Sequence, residues 1–421
     1  MGRALAARTA LGAALALLLL ASSACAPGVQ GSSGGATTVT TPPITATPST
    51  TPPAAVPGDP PTLRPTLPPP LTPDELRHRR AVARVDAMTP RELAAGVLMM
   101  TRPGTDTERL RDFVGDNALG GFILMGDNVP RDAAALRELT AAMTADPAFP
   151  PLIAIDQEGG EVSRLPWDDL PGADRLKREP VARTEVAFRG RAELLADAGV
   201  NVNFGIVADV PSGRQSFIFG RALGTSPKAA AKRVAAAVAG ERDVAGGAVA
   251  STLKHFPGHG AAEGDSHLGV PSTELPLRKW RATHALPFRA GIDAGAELLM
   301  MGHLAFTAVD ERPASLSKAW HRIARDELGF TGVIVSDDLG MLLDSGIPRY
   351  ADISHDVVRS LAAGTDLALV IRGVDRNRTP EIIDAIEAAV ASGELPAERL
   401  RAAATRVAEL RLKLGEAARA E

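Results

Sequence analysis

The chain has 421 residues, 45% of them hydrophobic and 23% charged, with a formal net charge of −4. That slight acidity comes with no basic stripe, which excludes nucleic acid as an expected partner. The one cysteine, Cys25, excludes an intramolecular disulfide, so the folded part must be held by its core alone.

Taken in chain order, Arg3 and Arg8 precede an apolar stretch over 10–21, and small residues follow up to Cys25. This is the pattern of a secretory signal, and the apolar stretch is too short for a spanning helix. Ser22-Ser23-Ala24-Cys25 resembles a bacterial lipobox, with Ser22 standing where leucine is usual. The predicted outcome is a lipidated Cys25 and a membrane anchor; cleavage without lipid, and so ordinary secretion, is the alternative. Residues 26–72 are dominated by Pro, Thr, Ser and Gly. Such a segment cannot bury enough apolar surface to offset its ordering entropy, which predicts a disordered tether.

Residues 73–421 are expected to form one domain. Thr89-Pro90-Arg91-Glu92 reads as a helix start, with a capping threonine, proline at the first helical position and glutamate three residues after the cap. Eight short apolar runs follow, at 96–100, 121–125, 151–155, 201–206, 250–253, 297–301, 332–335 and 366–371. Amphipathic stretches over 132–144, 185–198, 227–245, 286–294, 380–392 and 396–414 alternate with them, Thr379 opening the helix that starts with Pro380. Strand-length runs alternating with helices predict βαβ units, and eight of them predict a (β/α)8 TIM barrel. An open doubly wound sheet is the alternative, weakened because no GxGxxG follows the first run.

The polar residues at the ends of these runs carry the chemistry. Asp156 ends the third run, Lys254 and His255 the fifth, His303 the sixth and Asp337 the seventh. Carboxyl ends of barrel strands are where such folds build their sites, and solvent-facing strand ends alone explain this convergence poorly. Residues 254–267, KHFPGHGAAEGDSH, add a loop rich in glycine and titratable groups. Asp265 stands two residues before His267, a spacing that puts both side chains on one face of an extended segment. Asp337 and Asp338 are adjacent, so one of them faces the barrel mouth and its neighbour braces a loop or caps a helix. A carboxylate nucleophile opposite a His–Asp acid–base pair would serve glycoside hydrolysis with retention, histidine replacing one of the usual two carboxyl groups.

The segments AIDQEGGEVSRL (154–165), KHFPGHGAAEGDSH (254–267) and VSDDLGM (335–341) resemble the signatures of bacterial family 3 glycoside hydrolases, in particular the single-barrel β-N-acetylhexosaminidase branch. The resemblance runs from about Thr89 to Leu414. It implies Asp337 as nucleophile, His267 as acid/base with Asp265 as partner, and sugar contacts from Asp156, Arg164, Arg221, Lys254 and His255. It further implies N-acetylglucosamine-containing glycans or peptidoglycan fragments as substrates, a monomer, and neither metal nor other cofactor. One departure stands out: Glu161 follows the paired glycines where the family has arginine, and it is read as outside the sugar contacts. His303 divides evenly between a structural role and a substrate contact. Three rivals stand beside this reading: a metal hydrolase using His255, His259, His303 and Asp337, a β-glucosidase of the wider family, and a non-catalytic cell-wall-binding lipoprotein. The first lacks paired histidines on its first run. The second commonly carries a further domain supplying a glutamate acid, for which the chain, ending at Glu421, is expected to have no room. The third leaves the set of catalytic residue types unexplained.

Overall fold

The computed structural model describes residues 70–419, except 245–246, 265, 267–268 and 374–377. Cys25, most of the tether and the pair Asp265 and His267 thus lie outside the described residues.

The strands in chain order are β1 (Leu98–Met100), β2 (Gly121–Leu124), β3 (Leu152–Ile155), β4 (Val202–Val207), β5 (Ala250–Phe256), β6 (Ser272–Thr273), β7 (Leu298–Met301), β8 (Ala305–Phe306), β9 (Val333–Ser336) and β10 (Ala368–Val370). Eight of them form one parallel sheet in the order β10-β1-β2-β3-β4-β5-β7-β9. A parallel bridge from Val335 to Leu367 joins its two ends and closes a (β/α)8 barrel. Each of the eight apolar runs supplies one of these strands. The short pair β6–β8 left no comparable apolar run in the sequence.

Parallel strands covered on both faces read as continuous apolar runs rather than alternating ones. Here the inward set includes Met99, Ile123, Leu152, Ala154, Val202, Phe204, Leu298, Met300, Val333 and Val335, one buried cluster inside the barrel. The C-terminal helix Ala397–Ala417 adds Val407, Leu410 and Leu414 to that cluster at the amino ends of the strands. The residues between, such as Phe256 and Ile334, pack outward against the helices.

Local sequence explains most helix starts. The Thr89 side chain accepts from the Glu92 N–H while the Glu92 carboxylate accepts from the Thr89 N–H, and Thr72 and Glu75 repeat the arrangement ahead of the helix Pro73–Asp86. Thr379 is a correction. The helix runs Arg378–Ser392 and holds Thr379 inside its first turn, buried, rather than as the cap. Proline fits anywhere that its missing N–H would have no helical partner, so Pro380 did not fix the start to one residue.

Candidate active site

A cleft of about 200 Å³ opens at the carboxyl ends of the strands and is lined by Asp156, Arg164, Arg221, Lys254, His255 and Asp337 among others. Every described residue that the resemblance assigned to catalysis or sugar binding therefore meets in one place, while His303, the other strand-end candidate, does not line the cleft. Lys254 and His255 are neighbours in β5, yet both line the cleft. The β5–β7 register shifts between Leu253 and Phe256, and such an irregularity re-aims side chains that a regular strand would send to opposite faces. The Lys254–His255 and Phe256–Pro257 peptides are both cis.

One wall is a buried ion network. The Lys254 ammonium donates to Asp156 Oδ1 at 2.8 Å and meets Glu158 Oε1 at 2.8 Å. Arg221 grips the same Glu158 with two bonds, from Nε at 3.0 Å and Nη2 at 2.6 Å. Lys254 and Glu158 side chains are each only 3% exposed. Burial pushes the Glu158 carboxyl up, but Lys254 and Arg221 outweigh it and hold it at about 2. Burial pushes Lys254 down, and the Asp156 and Glu158 carboxylates reverse this and raise it. The cations are thereby kept charged and fixed in direction. Arg164 completes the wall, its Nη2 lying 3.6 Å from Asp156 Oδ2. Its backbone N–H donates to Gln157 Oε1, and its Nε is buried with no hydrogen-bond partner among the described residues.

A second buried carboxylate organises the histidines. Asp209 Oδ2 lies 2.8 Å from His255 Nδ1 and also accepts from the His255 N–H at 3.2 Å, while its Oδ1 accepts from the His259 N–H at 2.5 Å. His259 Nε2 lies 3.0 Å from Ser266 Oγ, tying the start of the glycine-rich segment to its far side. The turn at His259 needs glycine after it, because a Cβ on Gly260 would sit 2.0 Å from the Val210 carbonyl oxygen. Burial, reinforced by neighbouring His255, lowers His259 to about 4, so it is neutral near pH 7.

The opposite wall carries the paired aspartates. The Asp337 N–H donates to the Met301 carbonyl, and its Oδ1 accepts from the Asp338 N–H at 2.8 Å. Burial pushes Asp337 up, but the imidazoles of His303 and His255, the Asp338 N–H and Lys254 together hold it at about 2. The Asp338 side chain is bound instead by backbone. Its Oδ1 accepts from the N–H groups of Gly340 at 3.0 Å, Ile371 at 2.8 Å and Arg372 at 3.4 Å. Burial raises its carboxyl to about 6. Two adjacent aspartates thus have separate environments, one held ionised in the cleft and one bracing the loop beyond β10. His303 is buried behind them, with Nδ1 2.8 Å from Ser315 Oγ and Nε2 2.8 Å from the Asp338 carbonyl oxygen.

Glu158 and Asp209 organise the cleft's buried networks and were missed by sequence reasoning, although both were within its reach. Asp209 closely follows the end of β4 and obeys the strand-end rule that found Asp156 and Asp337. Glu158 lies two residues beyond Asp156, inside a motif that gives it no separate signal. Glu161 stands outside the cleft, in a separate hollow beside Asp174 and Gly220.

Comparison with known proteins decides the family. The profile of the glycosyl hydrolase family 3 N terminal domain matches residues 91–410. The chain belongs to glycosyl hydrolase family 3. It is a glycoside hydrolase on a (β/α)8 barrel. A Stenotrophomonas maltophilia protein named beta-hexosaminidase is 34% identical over 303 residues, covering 68% of this chain and 85% of its own length. Among solved structures, a family 3 beta-N-acetylglucosaminidase from Paenibacillus superposes with a TM-score of 0.72 at 29% identity, over 78% of this chain and 63% of that one. This family 3 chain therefore spans somewhat less than two thirds of the Paenibacillus enzyme. NagZ from Neisseria gonorrhoeae, solved in complex with N-trifluoroacetyl-D-glucosamine, gives a TM-score of 0.63 at 30% identity, over 77% of this chain and 92% of that one.

Proposed function

We propose that this family 3 hydrolase is a retaining exo-β-N-acetylhexosaminidase that removes terminal β-linked N-acetylglucosamine from cell-wall-derived glycans. The observation that carries the reading is the arrangement of the cleft: an aspartate held ionised on one wall, Asp337, faces fixed hydrogen-bonding charges on the other, Asp156, Arg164, Arg221 and Lys254. Beta-hexosaminidases among its relatives, and a relative that binds an N-acylated glucosamine, support the substrate class.

In the proposed reaction Asp337 attacks the anomeric carbon as the bond to the leaving oxygen breaks, and His267 gives that oxygen its proton. Water then attacks the same carbon, yields a proton to His267 and releases the sugar, so that both side chains return to their starting states. Asp265 would orient His267 and hold its charge. The glycines around this dyad, Gly258, Gly260, Gly264 and Gly269, suit a loop that closes over bound sugar. His259 is the weaker candidate for the acid, because burial keeps it neutral at working pH.

Turnover of an aryl N-acetyl-β-glucosaminide against an aryl β-glucoside, with and without a chelator, tests the reading. Selective cleavage of the first, indifferent to chelator, is expected. Preference for the glucoside would favour the β-glucosidase alternative, chelator sensitivity the metal hydrolase, and binding of chitobiose without cleavage the non-catalytic lipoprotein. We also propose that lipidated Cys25 and the tether of residues 26–72 hold a monomeric enzyme at the outer face of a bacterial cytoplasmic membrane. One acyl chain binds membranes only marginally, so this requires the several chains of a mature lipoprotein. Cys25→Ala should move the protein into the soluble fraction, and unchanged membrane partition would leave ordinary secretion as the better account.

A further inference from the structure

We infer that His303 is a positioning residue for the nucleophile, holding the peptide segment at Asp338 so that its N–H stays on the Asp337 carboxylate. The inference rests on the assignment of Asp337 as nucleophile. Residue 338 is the joint in this arrangement. Its N–H donates to Asp337 Oδ1 at 2.8 Å, its side chain is bound by the backbone of Gly340 and Ile371, and its carbonyl faces His303 Nε2 at 2.8 Å. A carbonyl oxygen only accepts, so Nε2 must carry the hydrogen whichever charge state the ring has.

The ring itself is fixed from behind. Its Nδ1 lies 2.8 Å from Ser315 Oγ. Ser315 is anchored in turn, its N–H donating to the Gly302 carbonyl and its own carbonyl accepting from Ser360 Oγ at 3.0 Å. Ser360 Oγ continues to Thr365 Oγ1 at 2.8 Å, and His321 Nε2 meets that hydroxyl at 3.0 Å. This buried polar chain runs behind β7 and β9 and ends on the residue that follows the nucleophile. His303 is 1% exposed and is not part of the cleft lining, which argues for action through Asp338 rather than on the sugar.

Two consequences follow for Asp337. Losing the Nε2 donor leaves a buried carbonyl without that bond, and the segment is free to shift; a misplacement of about 1 Å at a reacting group costs on the order of a hundredfold in rate. The imidazole is also first among the neighbours that draw the Asp337 carboxyl down against the upward push of burial.

His303→Leu and His303→Gln, compared with wild type, test the inference. Glutamine places an amide N–H near the position of Nε2, whereas leucine has no donor. For His303→Leu we expect kcat/KM on an aryl N-acetyl-β-glucosaminide to fall on the order of a hundredfold. The inhibition constant of free N-acetylglucosamine should stay unchanged, and the acid limb of kcat/KM should move to higher pH. His303→Gln should recover most of the rate. A parallel loss of inhibitor binding and rate, an unshifted acid limb, or a glutamine variant no better than leucine would overturn the inference. If the leucine variant does not fold, His303→Asn, too short to reach the carbonyl, takes its place against glutamine. Asp337→Ala is made alongside: full activity there sinks the nucleophile assignment, whereas an inactive Asp337→Ala with a fully active His303→Leu sinks only the positioning role.

Discussion

The cleft at the carboxyl ends of the strands holds about 200 Å³, while another at their amino ends holds about 420 Å³. Both are rich in charge, but the charges are arranged differently. At the amino ends, Lys413 Nζ meets Glu297 Oε1 at 2.7 Å and Arg77 meets Asp74 at 2.7 Å, with the Asp74 side chain 89% exposed. The Arg77–Asp74 pair meets water, where an ion pair is worth little. Glu297, itself 10% exposed, is shared among Lys413, Arg242 and the Ser251 N–H, so its charge is satisfied within the wall. At the mouth, Glu158 and Lys254 are almost fully desolvated, and Asp156, Arg164 and Asp337 still present polar atoms to the cleft. Volume alone would choose the wrong end. Desolvated charge aimed at a common space is the better guide to chemistry, because removing charge from water is costly unless partners or a ligand compensate.

That contrast breaks down unless the mouth is far more sensitive than the amino end. Asp337→Ala should lower turnover on the order of 10⁵-fold while the protein still folds, as expected when a nucleophile is removed. Wild-type kcat/KM should hold steady as pH falls through the ordinary carboxylate range near ~4, its acid limb lying below, because Asp337 must be ionised and is held at about 2. An inactive Asp338→Ala beside an active Asp337→Ala would reverse the assignment of the two aspartates.

The next effect sharpens the picture of the mouth. His267→Ala should cost on the order of 10²–10⁴-fold on sugar leaving groups and far less on activated aryl glycosides, which need little protonation. Asp265→Ala should follow the same trend more weakly. Equal losses on both substrate types would transfer the acid role to His255 or His259.

Glu158→Gln tests the buried network. It keeps the shape but leaves Lys254 and Arg221 short of one negative charge, and breaking a buried pair in this way costs about 3–5 kcal/mol. KM should rise with it, since both cations lose their fixed direction. The native pKa of Glu158 is depressed from its ordinary 4.5 to about 2, so its contribution to stability is present above 4.5 and lost as pH falls toward 2. The glutamine variant should therefore show less acid-induced loss across that window, as thermal unfolding at several pH values would reveal. Lys413→Ala at the amino end removes a partly exposed cation and leaves Glu297 its bonds from Arg242 and the Ser251 N–H, so stability should change by about 1 kcal/mol and kcat/KM should not. A larger kinetic effect there would mean that the two ends of the barrel are coupled.

By itself the sequence determined the barrel and its rim. The apolar runs, the capping boxes and the polar residues just past the strands are local signals, and strands buried on both faces admit few other readings. It also brought Asp156, Lys254, His255 and Asp337 to one end, since every parallel strand points its carboxyl end the same way, whereas Arg164 and Arg221 were reached only through the family resemblance. Which neighbour of a pair faces inward was decided only in three dimensions. Glu158 enters the cleft wall while Glu161 leaves it, because Gly159 and Gly160 between them adopt φ of +80° and +72° and turn the chain away. Asp209, Ser315 and His303 gain their meaning from partners up to 50 residues distant, such as His259 for Asp209. No local pattern encodes such a partnership, because the energy of a buried polar group lies in the bond it makes across the fold and not in the segment that carries it.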